Sequence, residues 1–411
     1  MCPNVRLTVQ SNVLVLLVLL LFVVDISTST STFDACKTHT FFYLWYGAPS
    51  IENPSASYTH WNHEVLPHWT ERENKKWNEI IGQSFSPPDE IHAKFYPQRG
   101  LYSSADETVL KSQFAEMKRA GICGVILSWW GRPDEEGTHD TQGVNTDKIV
   151  KTVVKAAAEV EDIYIGFHLE PYSGRSAEKV VKDVRYLQDR FRDFSTTLLT
   201  DNRKRVVFYI YDSYHVSSAE WKRELKDLKD EACFVGLVLD RKGLTHVIDS
   251  DFDAGYTYFA SDGFSYGSST SKWKHISNQL HSHNIAFIPT VGAGYDDTSI
   301  RPWNSHNTKA RKNGAYYERM FRAAIDSNPD AISITSYNEW GEGTQIESAS
   351  PVRVLSSKDV KLKNTHLLNE QGDRVYAAYK GNDPYFYIDL TKRFVREWEE
   401  SGVRYHDTTL L

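Results

Sequence analysis

Eight short apolar runs, each followed by a helix-like or polar interval, constrain this 411-residue chain more than any other feature. They are FFYLWY from Phe41, CGVILSWW from Cys123, IYIGFHL from Ile163, VVFYIY from Val206, CFVGLVL from Cys233, AGYTYF from Ala254, IAFIPTV from Ile285 and AISITSY from Ala331. Both faces of each run are apolar, as in parallel strands covered by helices. Between them, Ser104 and Glu107 have capping-box spacing, Leu110, Phe114 and Met117 mark one helix face, and Gly121 supplies the stop. Thr146–Glu161 and Ser176–Leu199 carry similar patterns. Strand and helix alternating eight times predicts an α/β fold, a (β/α)8 TIM barrel. The interval Tyr46–Cys123 is far longer than the others and predicts a loop excursion after the first strand. A doubly wound open sheet would carry a Gly-rich phosphate loop after its first strand, and none is there.

Ahead of the barrel pattern stands VLVLLVLLLFVV, Val13–Val24, apolar and uncharged. A spanning helix needs about 20 such residues, whereas a signal-peptide core needs about 7–15. Residues 1–26 are therefore expected to be a signal-anchor or signal peptide, 27–38 a short Ser/Thr-rich stem, and 39–405 the barrel domain in the secretory lumen. Cys36, Cys123 and Cys233 follow the apolar run, an odd number at wide spacing that fits neither a disulfide framework nor a zinc motif. Cys123 and Cys233 lie in strand-like runs and read as buried thiols. The net charge of −7, without a basic face, argues against a nucleic-acid partner.

The segments after the strands collect polar, aromatic and glycine residues, where barrel enzymes build their sites. The last of them, SITSYNEWGEGTQIE (Ser333–Glu347), places Glu339 and Glu342 three residues apart beside Trp340. On a tight turn, such residues lie about 5–6 Å apart, within reach of one sugar ring. Two close carboxylates also push their pKa values apart, so one holds a proton near neutral pH. Glycosidic cleavage needs that pairing: one acid protonates the leaving oxygen, and the other attacks, activates water or recruits a neighbouring group. With 11 Trp and 23 Tyr, the chain is also rich in flat rings on which sugars stack. Glu170 in HLEPY is a candidate hydroxyl ligand, with a salt bridge in the barrel mouth as the alternative. His60 in HWNHEVLPHW reads as a hydroxyl binder in a sugar groove rather than part of a metal cluster, because the His residues lack a firm ligand spacing and alternate with Trp61 and Trp69. Trp129 and Trp130 are candidate stacking platforms, and Tyr214 in YDSYHV, Tyr258, Arg301 and Trp303 complete the set. No metal or cofactor is expected; Lys94 as a Schiff-base lysine lacks any phosphate-binding neighbourhood.

Taken in order, FFYLWYGAP, HWNHEVLPHW, FYPQRGLYSS, GVILSWW, FHLEPY, FYIYDSY, YTYFASDGFSYGSS, FIPTVGAGYDDTSIRPWN and ISITSYNEWGEGTQIE resemble glycoside hydrolase family 99, the endo-α-1,2-mannosidases. The resemblance spans about Phe41 to Arg393. It implies a metal-free retaining hydrolase in which Glu339 is the base toward the sugar's own 2-hydroxyl, giving a 1,2-anhydro sugar. Glu342 would be the acid and then the base toward water. It implies that Tyr46, Tyr258, Arg301 and Asn338 line the reacting subsite, with Trp129 and Trp130 at the next sugar outward. It further implies a Golgi type II membrane protein, or alternatively a secreted one. Such a protein would act as a monomer on glucosylated high-mannose N-glycans and release glucosyl-α-1,3-mannose. Another α-mannan substrate, or a glycan-binding barrel that has lost catalysis, are the alternatives. Two departures stand out: Gly341 where the family usually has His, and Ser348 where Pro commonly follows. Gly341 predicts a more pliant turn and a missing ring beside the acid/base.

Overall fold

The computed structural model describes residues 32–50, 53–362 and 367–407. The expected N-terminal anchor or signal segment, and part of the stem, lie outside them. Among the described residues, no helix is long and apolar enough to cross a membrane.

The eight runs become one ring of parallel strands: β1 (Thr38–Phe42), β2 (Gly124–Trp129), β3 (Tyr164–Leu169), β4 (Val206–Ile210), β5 (Ala232–Leu237), β6 (Ala254–Tyr256), β7 (Ala286–Ile288), β8 (Thr290–Val291) and β9 (Ile332–Ile334). Their order is β7-β6-β5-β4-β3-β2-β1-β9-β8. β7 and β8 are halves of the seventh run, interrupted at Pro289, which has no N–H for the ladder. β7 pairs with β6 and β8 with β9, so the barrel is closed except at that break. β1 lies between β2 and β9, with Thr40 opposite both Val125 and Ile334.

Strand periodicity sorts the side chains into two cores. Phe41, Ile126, Tyr209, Val235, Tyr256 and Ile288 fill the barrel interior. Phe42, Val125, Leu127, Phe167 and Phe208 face the surrounding helices. The first of these helices differs from expectation at its start. It runs Glu107–Arg119 and is capped by Asp106, whose carboxylate accepts from the Thr108 and Val109 amides. Ser104 instead accepts the Tyr46 N–H at 3.1 Å, fixing the exit of β1. The helix does end where Gly121 adopts φ +79°.

The cysteine reading is corrected at one position. Cys36 and Cys123 form a disulfide across 87 residues of sequence. Pairing of β1 with β2 sets His39 opposite Gly124, which brings the residues just ahead of both strands together. Cys233 is the buried free thiol expected of it.

The long interval after β1 is the expected excursion. It folds over the mouth on a small core of Val65, Ile80 and Phe85 packed with Ile300 and Leu362. An antiparallel ribbon, β10 (Arg353–Leu355) and β11 (Arg374–Tyr376), supports the same end of the barrel.

Candidate active site

The turn after β9 is tied down on both sides. The Asn338 amide accepts from the Tyr43 N–H at 2.8 Å and donates to the Tyr43 carbonyl at 3.0 Å, joining the turn to the exit of β1. The Tyr46 hydroxyl donates to the Asn338 carbonyl at 2.9 Å and accepts from the Trp340 amide at 3.1 Å. Trp340 Nε1 donates to Glu347 at 2.9 Å, and Glu347 also accepts from Arg99, Gln113 and Tyr102. Ser348 has a physical reason to be there: its amide and hydroxyl both donate to Glu116, at 2.7 and 3.1 Å. A proline could supply neither.

This frame turns Glu339 and Glu342 into one cavity of about 230 Å³ at the mouth of the barrel. Glu339 accepts the Glu342 N–H on Oε2 at 2.5 Å and the Gly341 N–H on Oε1 at 3.3 Å. Glu342 Oε1 faces Arg301 Nη1 at 3.3 Å, and the same guanidinium nitrogen donates to Asp297 at 3.1 Å. Burial raises the Glu339 carboxyl to about 8, and the charge of Glu342 adds to the rise. Burial also raises Glu342, opposed first by the Arg301 charge. The pair thus retains one proton near neutral pH, the condition for acid and base work at one site.

Of the residues expected here, Tyr46, His60, Trp130, Glu170, Tyr258 and Arg301 line the cavity with the two glutamates. Glu170 accepts from Ser128 at 2.8 Å and stands 3.0 Å from His168 Nδ1, and among the described residues no Lys or Arg side chain pairs with it. Tyr258, two residues beyond β6, takes a left-handed φ of +55°, costly for a bulky residue, which turns its ring into the mouth. Its hydroxyl lies 2.5 Å from that of Tyr43. Trp303 lines an adjoining cavity of about 300 Å³ with Trp69 and Phe264, and the two cavities share Tyr211, Tyr258, Arg301 and Glu342.

Four placements differ from expectation. Trp129 shares the outward parity of Val125 and Leu127, is fully buried against the helices, and donates its indole N–H to Asp147 at 2.9 Å. Trp130, one residue on, faces the mouth alone. Tyr214 stands at the surface with its hydroxyl on Asp212 at 2.7 Å, and Tyr211 takes its place in the site. His60 does not offer nitrogens to a hydroxyl: Nδ1 accepts from Gln142 at 3.1 Å, and Nε2 then donates to Asp140 at 2.6 Å. Its ring stacks flat on Trp45 at 4.5 Å. Asn338 is fully buried, its amide engaged by Tyr43, so it holds the turn rather than lining the cavity.

The cavity also takes in Tyr43, Trp45, His63 and His92. Tyr43 and Trp45 continue the inward parity of His39 and Phe41 past the end of β1, a signal readable from FFYLWY. His92 had no such signal. Gly341 shows why it matters: a Cβ there would stand 3.1 Å from His92 Nε2 and 3.3 Å from Glu339 Oε1. The space beside the acid is therefore bordered by an imidazole from the excursion. Lys94, two residues further on, pairs with Asp296 at the surface. Among the described residues, no three His, Cys, Asp or Glu side chains are grouped to hold a metal ion.

Comparison with known proteins follows the same outline. The model of Glycosyl hydrolase family 99 matches residues 34–400. The chain is 36% identical over 378 residues to the mouse glycoprotein endo-alpha-1,2-mannosidase, covering 89% of this chain and 76% of that protein. It is equally identical, at 36% over 378 residues, to the human glycoprotein endo-alpha-1,2-mannosidase-like protein, covering 88% and 76%. The structure of the GH99 endo-alpha-mannosidase from Bacteroides thetaiotaomicron superposes with a TM-score of 0.73 at 32% identity, over 90% of this chain and 99% of that one.

Proposed function

Since the chain belongs to glycoside hydrolase family 99 and is a glycoside hydrolase with endo-α-mannosidase activity, we propose that Glu339 and Glu342 are its catalytic pair and that glucosylated high-mannose N-glycans are its substrate. The observation that carries the assignment is the pair itself, two buried carboxyls on one braced turn facing one cavity, with Arg301 against one of them.

In the first step, Glu339 takes the proton from the 2-hydroxyl of the reacting mannose. O2 attacks C1 as the C1–O bond to the departing sugar breaks, and Glu342 gives that oxygen its proton. In the second step, Glu342 takes a proton from water, which opens the 1,2-anhydro ring at C1, and Glu339 returns its proton to O2. Two inversions at C1 give overall retention. The raised carboxyls support this reading, because one shared proton serves both steps. With Arg301 on Glu342, the resting proton favours Glu339, whereas the reactive arrangement has it on Glu342. Both arrangements carry the same charge, so a pH profile reports the pair and not either member.

The other assigned side chains have supporting roles. Tyr46 and Asn338 brace the turn, Tyr258 and Glu170 wall the reacting sugar, and Trp130 meets the next sugar outward. Trp303 belongs to the adjoining limb, where a longer glycan continues. The natural setting is the Golgi lumen, with a type II anchor in the N-terminal segment and a monomeric domain; a secreted form is the alternative. The Cys36–Cys123 disulfide supports an oxidising compartment of this kind, and cell fractionation separates anchored from secreted protein.

The test is incubation with a monoglucosylated high-mannose glycan, with products read by mass beside a Glu342→Gln control. A hexose disaccharide from the parent alone is expected; equal release by the control would remove Glu342 from its role. A glycan whose reacting mannose lacks the 2-hydroxyl should not be cut, because no anhydro ring can form.

A further inference from the structure

His92 is a buried polar group for which the reaction above has no use. Its backbone is clamped from both sides by the β10–β11 ribbon. The Ile91 N–H donates to the Tyr376 hydroxyl at 2.8 Å, and that hydroxyl donates to the Asp89 carbonyl at 2.9 Å. The buried Arg374 guanidinium donates to the carbonyls of Ala93 at 2.7 Å and Ile91 at 3.4 Å. On the ring, Nδ1 stands 3.3 Å from the Trp61 carbonyl. A carbonyl only accepts, so Nδ1 carries the proton and Nε2 keeps its lone pair. Burial, with His63 adjoining, holds this imidazole well below the usual histidine range, which keeps it neutral.

Among the described residues, no donor reaches Nε2, yet the side chain is 2% exposed and lines the cavity of the two glutamates. Nε2 is not one of the fully enclosed polar atoms; it opens onto this cavity, so the donor it takes is one that occupies that space. Nε2 and Glu339 Oε1 flank the position a Gly341 side chain would take, 3.1 and 3.3 Å from it. Because residue 341 is glycine, that space opens to whatever sits over Glu339.

We propose that His92 is a substrate-binding residue: Nε2 accepts a hydrogen bond from a hydroxyl, other than the 2-hydroxyl, of the hexopyranose bound over Glu339, with Gly341 leaving the approach open. The proposal rests on the reading that this cavity binds the reacting mannose. The missing donor is then supplied by substrate, and a sugar lacking that hydroxyl leaves Nε2 unpaired.

The test uses binding, so that it does not depend on turnover. In a Glu342→Gln background, calorimetry measures affinity for an α-1,2-mannobioside and for its monodeoxy derivatives at the reacting sugar. One deoxy ligand should bind about five- to tenfold more weakly, the range of a neutral hydrogen bond. With His92→Phe added, the parent ligand should weaken by that factor and the same deoxy ligand no further. His92→Gln, which retains an acceptor, should restore the discrimination. Gly341→Ala should reproduce the loss with His92 intact, since its methyl meets the ring, and it carries the comparison if the Phe variant does not fold. The proposal is overturned if every deoxy ligand is discriminated equally with and without the imidazole. Failure of the parent enzyme to cleave any mannoside would count against the catalytic reading instead and leave the binding comparison decisive.

Discussion

Replacing Glu339 with Gln should raise the stability of the folded chain relative to the parent progressively as pH rises from 5 to 8. In the folded state this carboxyl is raised to about 8, chiefly by burial, from an ordinary 4.5. Below 4.5, folded and unfolded states both hold the proton, and no penalty arises. Between 4.5 and 8 the unfolded carboxyl ionises while the folded one stays protonated, so the folded state binds more protons and stability falls as pH rises. Above 8 the whole difference is present, roughly 5 kcal/mol at about 1.36 kcal/mol per pKa unit. Because Glu342 shares the rise, roughly 5 is a ceiling. Gln carries no charge, but it keeps a single oxygen, so one of the two amides that Glu339 receives on separate oxygens loses its acceptor, a cost of about 1–3 kcal/mol that is the same at every pH. Urea unfolding of parent and Glu339→Gln from pH 4 to 9 checks this. Near pH 4 the variant should sit below the parent by that fixed amount, and from pH 5 to 8 the difference should move steadily in the variant's favour. Parallel curves across the range would refute the account of buried charge at this site, whatever the variant does to catalysis.

Three further outcomes are expected. Glu342→Gln should lower kcat/KM by at least about 100-fold, the usual scale for a lost general acid, with unchanged unfolding at acid pH showing that the loss is chemical. Arg301→Met removes the charge that holds Glu342 down, so the acidic limb of the kcat/KM profile should move to higher pH; an unmoved limb would mean that Arg301 acts on substrate alone. A Cys36→Ser, Cys123→Ser double variant should lose about 2–4 kcal/mol of stability while kcat/KM per folded molecule holds, because the bridge lies at the opposite end of β1 and β2 from the cavity.

The barrel was legible because its signal is local: eight runs with both faces apolar, separated by helix patterns, describe strands covered from both sides. The carboxylate pair was legible for the same reason, since Glu339 and Glu342 lie on one turn whose place after the last strand follows from counting. Trp129 and Trp130 show the limit. The run marks both as strand-end aromatics, but which one faces the mouth depends on parity relative to the barrel axis, fixed only when β2 pairs with its neighbours. His60 was visible as a site residue, whereas Gln142 and Asp140, which engage its nitrogens, come from a loop 80 residues away.

What the sequence by itself determined is the fold class and the turn bearing both acids, because hydrophobic period and residue spacing act over a few residues. Only tertiary structure decided the disulfide, the exchange of Tyr214 for Tyr211, and the meeting of His92 with Gly341. Each of these joins segments that have no local reason to be neighbours and become so when the ring of strands closes.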